Sequence, residues 1–113
     1  MSGTSLTRSR DFVHVQSRGA RARSNGVAAA ALRREDPTAP SRVGLAVGRG
    51  LGSAVARNRV KRRLRAAWRE GAIPAGYDVV LRPSQAVAHI DFQDLVNHVE
   101  SAVTRAIASG GDA

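Results

Sequence analysis

From Arg57 to Arg69 the chain reads Arg-Asn-Arg-Val-Lys-Arg-Arg-Leu-Arg-Ala-Ala-Trp-Arg, seven basic residues in thirteen with no acidic residue among them. On a helix turning about 100° per residue, Val60, Leu64, Ala67 and Trp68 share one face. Asn58, Arg62, Arg65 and Arg69 share the opposite face, Arg59 and Arg63 flank one side, and Lys61 the other. Solvated helix faces usually mix signs. Here like charges recur at i, i+3 and i, i+4, which destabilises a helix with no partner. The pattern therefore predicts a helix that packs through a narrow apolar stripe and offers a polyanion a broad cationic surface. Arginine is the planar fork suited to phosphate and to stacking on bases. Asn58 adds a neutral donor and acceptor for a sugar hydroxyl or a base edge.

Other chemistry is poorly represented. The chain has no cysteine, and His14, His89 and His98 lack zinc-ligand spacing, so no metal ligands are assigned. Asp11 and His14 lie three apart on a predicted helix and Asp78 opens a predicted strand. No second histidine or carboxylate pair has the spacing of a general acid–base site, so no catalytic residue is assigned. Gly44, Gly48, Gly50 and Gly52 invite a nucleotide-loop reading. A phosphate loop closes on Gly-Lys-Ser/Thr, where this chain has Gly48-Arg49-Gly50, and the dinucleotide pattern fails at Val55. A tight turn before the basic helix is the better account.

The elements that must position the basic run follow from the rest of the 113 residues. The formal net charge of +9 is unevenly spread: residues 1–69 carry 16 basic and 3 acidic residues, net +13, and residues 70–113 carry 2 and 6, net −4. Seventeen of the 18 basic residues are Arg. Twenty residues are Ala, and Leu, Ile, Val and Phe together number 25, so the core is thin but sufficient for one domain. Residues 1–5 and 110–113 are expected to be disordered, flanking a single domain at 6–109. No apolar run approaches a membrane span, and residues 1–5 lack the apolar core of a signal peptide; a cytoplasmic protein without membrane contact is expected.

A first helix is expected over 8–17, with Gly19 as a left-handed C-terminal cap, followed by a basic loop at 18–25. Residues 26–32 and 42–48 read as strands joined by a proline-containing turn into an antiparallel hairpin, Val43, Leu45 and Val47 sharing a face. Residues 49–52 form a glycine loop, with room for a short strand near 48–55. Ser53 caps a helix running to about Glu70, Tyr77–Leu81 is a strand, and Asp91 caps a last helix that ends at Gly110. Trp68 and Phe92 are expected in the core. The fold class is α+β in the order α-β-β-(β)-α-β-α.

The stretch Arg42-Val43-Gly44-Leu45-Ala46-Val47, followed by Gly52-Ser53-Ala54-Val55-Ala56-Arg57-Asn58-Arg59-Val60-Lys61-Arg62-Arg63-Leu64-Arg65, closely resembles the bacterial ribonuclease P protein component. The Arg-Asn-Arg run with its trailing basic residues is that family's most specific motif. Asp11-Phe12 before Gly19, and Tyr77-Asp78-Val79-Val80 leading to Arg82, extend the resemblance over about residues 6–107. It implies a two-layer α-β sandwich with a left-handed βαβ crossover, an exception to the usual hand. It also implies an accessory subunit of a ribonucleoprotein endonuclease. In that family a catalytic RNA, using divalent metal ions such as Mg2+, removes the 5′ leader of precursor tRNA.

Carried over by motif, Arg57, Asn58, Arg59, Lys61, Arg62 and Arg65 contact the catalytic RNA. The leader lies in a cleft between the first helix and the sheet, lined by Phe12, Gln16, Val27, Ala30, Val43, Leu45, Val47 and Arg49. No obligate protein partner is expected, and no metal ligand is assigned on the protein itself. Gln16, Val27 and Ala30 stand where family members often carry aromatics, and the chain has only four: Phe12, Trp68, Tyr77 and Phe92. Leader contact is therefore expected to rely more on arginine and backbone electrostatics than on stacked bases. The readings from other classes are a ribosomal-type RNA-binding protein and a DNA-binding module using the 53–69 helix.

Overall fold

A computed structural model describes residues 4–6 and 8–110. The elements are β1 (Thr4–Ser5), α1 (Ser9–Arg18), β2 (Ala20–Ser24), β3 (Val27–Arg33), β4 (Arg42–Leu45), α2 (Ala54–Glu70), β5 (Tyr77–Pro83) and α3 (Phe92–Gly110). They form one sheet in the order β1-β4-β5-β3-β2. β2–β3 and β3–β5 are antiparallel, whereas β4–β5 and β1–β4 are parallel. The parallel β4–β5 pair needs a long connection, which α2 supplies as the helix of a βαβ unit.

α2 and α3 cover one face of the sheet and form with it the α+β sandwich. Side chains alternate faces along a strand, and the odd-numbered Val27, Ala29, Ala31, Val43, Val79 and Leu81 point into this layer. There they meet Val60, Leu64, Ala67 and Trp68 of α2 and Leu95, Val96, Val99, Ala102, Val103 and Ala106 of α3. Ser53 Oγ accepts the Ala56 N–H at 3.2 Å at the start of α2, and Asp91 accepts the Gln93 and Asp94 N–H groups at the start of α3. At the other end of α2, the Glu100 carboxylate accepts the Ala72 N–H at 2.6 Å and ties the exit of α2 to α3.

The opposite face carries only α1 and a smaller cluster of Leu6, Val15, Ala30 and Val80, with Phe12, Leu32 and Ala46 against it. The chain enters beside β4, where the Leu6 N–H bonds the Val43 carbonyl, and leaves α1 directly into β2 at the other edge. α1 thus lies across the strands and leaves the far half of this face open. On the covered half, Asp78 accepts a two-pronged bond from Arg42, both contacts 2.7 Å, with Arg34 Nε at 3.6 Å. That carboxylate holds the Arg42 guanidinium even more firmly protonated than usual.

The differences from the sequence reading are local. Residues 20–24 form an edge strand instead of a basic loop, turning into β3 through Asn25 (φ 39°) and Gly26 (φ 83°). β3 and β4 are not a hairpin, because β5 inserts between them. Gly19 is extended at φ −71°, so it is no left-handed cap; it continues into β2. Arg49–Leu51 is a 3-10 turn in place of a short strand. Thr4 and Ser5 pair with Arg42 and Val43, where disorder was expected; residues 1–3 and 111–113 lie outside the described residues. Trp68 is buried, but Phe92, at the first position of α3, is 37% exposed.

Candidate nucleic-acid interface

The first candidate surface is α2. Its apolar stripe faces the core, so the helical period leaves the basic residues outward. Asn58, Arg59, Arg62, Arg65 and Arg69 are exposed, and Arg57 and Lys61 are half-buried at the flanks. Arg63, also half-buried, turns back to donate to the Ile90 carbonyl and so pins α2 to the segment before α3. Its role is in the fold, in contrast to its exposed neighbours. Within α2 the only acid is Glu70, at its last residue.

The second surface is the part of the sheet that α1 leaves open. Gln16 and Arg82 take part in two adjoining hollows there. One, about 300 Å³, is lined by Gln16, Arg21, Ala22, Arg23, Ala28, Ala29, Ala30, Val80 and Arg82. The other, about 700 Å³ and more open, continues past Phe12, Leu45, Ala46 and Val47 to Gly48, Gly50 and Leu51, in the turn that leads into α2. Together they make a groove from the β2 edge to the foot of the basic helix. Phe12 lies on Gly44: a Cβ there would stand 2.5 Å from the ring Cζ, so only glycine lets the ring settle on the strand. No carboxylate lines either hollow among the described residues.

This placement sorts the residues expected in the cleft. Phe12 and Gln16 line the groove, Ala30 forms part of its floor, and Leu45 and Val47 border its mouth at the end of β4 while their side chains pack against the core beneath α2 and α3. Arg49 is exposed between the groove-lining Gly48 and Gly50. Val27 and Val43 do not belong there. They are 0% and 6% exposed on the other face of the sheet, packed in the core beneath α2 and α3, so they cannot meet a ligand in the groove. Sequence reasoning passed over Arg21, Arg23, Ala28 and Val80. The signal for the first two was present, since Arg21 and Arg23 alternate with Ala22 and Ser24 ahead of an Asn-Gly turn, the strongest short-range hairpin signature.

No group of three or more His, Asp or Glu side chains able to hold a metal ion gathers among the described residues. No helix among them is long and apolar enough to cross a membrane.

The sequence profile of the family described as Ribonuclease P matches residues 2–107. Among curated relatives, the ribonuclease P protein component of Thermobifida fusca is 36% identical over 106 residues, covering 87% of this chain and 72% of that protein. That of Symbiobacterium thermophilum is 39% identical over 97 residues, covering 84% of each. Among solved structures, the RNase P protein from Thermotoga maritima superposes with a TM-score of 0.77 at 26% identity, covering 90% of this chain and 96% of that one.

Proposed function

The chain belongs to the ribonuclease P protein family, and from that membership we propose how its two surfaces divide the work of a precursor-tRNA-processing ribonucleoprotein. The exposed face of α2, Asn58, Arg59, Arg62 and Arg65 with Arg57 and Lys61 at its flanks, binds the catalytic RNA. The groove between α1 and the sheet holds the single-stranded 5′ leader of precursor tRNA. The observation that carries this reading is the junction of the two: the groove ends at Gly48–Leu51, from which the basic helix departs. A strand lying in the groove is thereby delivered beside whatever RNA α2 holds.

Chemistry at the scissile phosphate is assigned to the RNA subunit. The protein contributes no paired acid and base in the groove, whose ionisable groups are arginines. The divalent ions that assist phosphodiester hydrolysis are assigned to the RNA subunit with the chemistry they serve. The protein acts by positioning: its contacts add binding energy remote from the reacting centre and orient the substrate. Polyanion binding of this kind weakens steeply with salt through counterion release.

The test compares precursor tRNA with leaderless tRNA, each binding to a bacterial catalytic RNA with and without this protein. The proposal expects the protein to strengthen binding of the precursor selectively. Equal strengthening of both substrates would remove the leader from the groove.

A further inference from the structure

The hollow at the β2 end of the groove is walled by three arginines over a floor of methyl groups. Adjacent strands set them in a grid: Arg21 is opposite Ala30, which is opposite Val80, and Arg23 is opposite Ala28, which is opposite Arg82. Ala22 and Ser24 turn toward α3, Ser24 Oγ lying 3.2 Å from His98 Nδ1, so the alternation of the strand commits Arg21 and Arg23 to the groove side. Strands lie about 4.8 Å apart, so Arg23 and Arg82 stand about 10 Å apart on either side of Ala28. Arg21 and Arg23, two residues apart, are separated by about 7 Å along the edge strand.

We propose that Arg21, Arg23 and Arg82 form a phosphate-binding row that grips the backbone of the leader independently of its base sequence. This rests on the groove being the leader site. Three features carry it. The floor between the arginines is Ala28 and Ala30, too small to stack on a base and low enough to leave the space between the side chains open. The Arg21 guanidinium donates to the Gln16 carbonyl of α1, which aims it inward over the floor and leaves further N–H donors for an anion. Lastly, no carboxylate lines the hollow among the described residues, and Asp78, on the same strand as Arg82, is engaged by Arg42 and Arg34. Planar guanidinium forks recognise phosphate oxygens in pairs and are indifferent to the base attached.

The test uses the full chain assembled with a bacterial catalytic RNA, measuring affinity for precursor and leaderless tRNA across a salt series. Arg21→Gln with Arg23→Gln should reduce the slope of log affinity against log salt by about 1.4 for the precursor alone, two contacts at about 0.7 each for a single strand. At 0.15 M salt that amounts to about a 14-fold loss relative to 1 M. The paired Lys substitutions should keep most of the slope, and replacing the leader by a uridine-only sequence should change affinity less than twofold. Arg82→Gln, on a different strand, should act in the same direction with half the effect.

Equal weakening of precursor and leaderless tRNA, or lost affinity of the protein for the catalytic RNA, would overturn the row by giving these arginines another partner. An unchanged precursor slope while Phe12→Ala weakens precursor binding would overturn the row and leave the groove standing. If the unaltered protein itself failed to favour precursor over leaderless tRNA, the leader reading would fall, and the row with it.

Discussion

Neutralising the outward face of α2 should move stability and RNA affinity in opposite directions. In the triple variant Arg59→Gln, Arg62→Gln, Arg65→Gln, all three side chains are exposed and none is engaged in the fold as Arg63 is. Glutamine and arginine have similar helix propensity, so the backbone cost is small. Three like-charge i, i+4 pairs disappear: Arg59–Arg63, Lys61–Arg65 and Arg65–Arg69. At about 0.2–0.5 kcal/mol each, their removal stabilises the free protein by about 0.6–1.5 kcal/mol at low salt. For a domain of this size that is a rise of about 2–6 °C in melting midpoint. Binding runs the other way. If the five charges assigned to the catalytic RNA (Arg57, Arg59, Lys61, Arg62, Arg65) each neutralise one phosphate, the log–log salt slope is about −4.5, and the variant retains about −1.8. Between 50 and 200 mM salt the native protein would lose about 500-fold in affinity for the catalytic RNA and the variant only about 12-fold. Thermal melting of the free protein and filter binding over a salt series give both quantities. A variant that melts lower and binds with an unchanged slope would show that these arginines serve the fold, and the argument from uncompensated charge would be refuted.

Three further outcomes follow from single contacts. Gly44→Ala places a Cβ 2.5 Å from the Phe12 ring, so denaturant unfolding should show a loss of about 1–3 kcal/mol, and unchanged stability would mean that the ring does not rest on this strand. Gly26→Ala forces a side chain into φ 83° at the β2–β3 turn and against Ser84 Oγ, which should cost about 1–2 kcal/mol or more; a neutral result would contradict the turn geometry. Asp36 accepts the Thr38 hydroxyl at 2.7 Å and the Thr38 N–H at 2.9 Å, which hold its carboxyl below the ordinary 3.8. Its contribution to stability is therefore complete above that value and lost as pH falls through the lower folded value. Asp36→Asn should destabilise at neutral pH with a difference that vanishes in acid, and a pH-independent difference would rule out the ionised contact.

Where a long period or a cap was present, the sequence was legible. α2 and α3 begin at the residues their caps name, Ser53 and Asp91, and the stripe Val60, Leu64, Ala67, Trp68 is buried as the helical wheel requires. What escaped is non-local or balanced on parity. Nothing near β3 or β4 records that β5, more than thirty residues beyond β4, will lie between them, so two consecutive strands were read as neighbours. Val27 and Val43 enter the expected cleft through the family resemblance, which carries position along the chain but not the face of the strand; a one-residue step changes face, and both sit on the core side. β2 was obscured by its composition: an edge strand that buries only small side chains against α3 needs no large apolar residue, so Ala-Arg-Ala-Arg-Ser passed for a basic loop. That error also hid two of the three arginines of the groove.

On the proposed reading this chain assists an RNA that performs the cleavage. The most direct measurement is precursor-tRNA cleavage by a bacterial ribonuclease P RNA at low magnesium, with the protein, without it, and with the protein alone. The protein should strongly stimulate the RNA, with a larger effect on substrates carrying a leader than on those with the leader cut short, and should cleave nothing alone. Absence of stimulation, or cleavage by the protein without RNA, would contradict that reading.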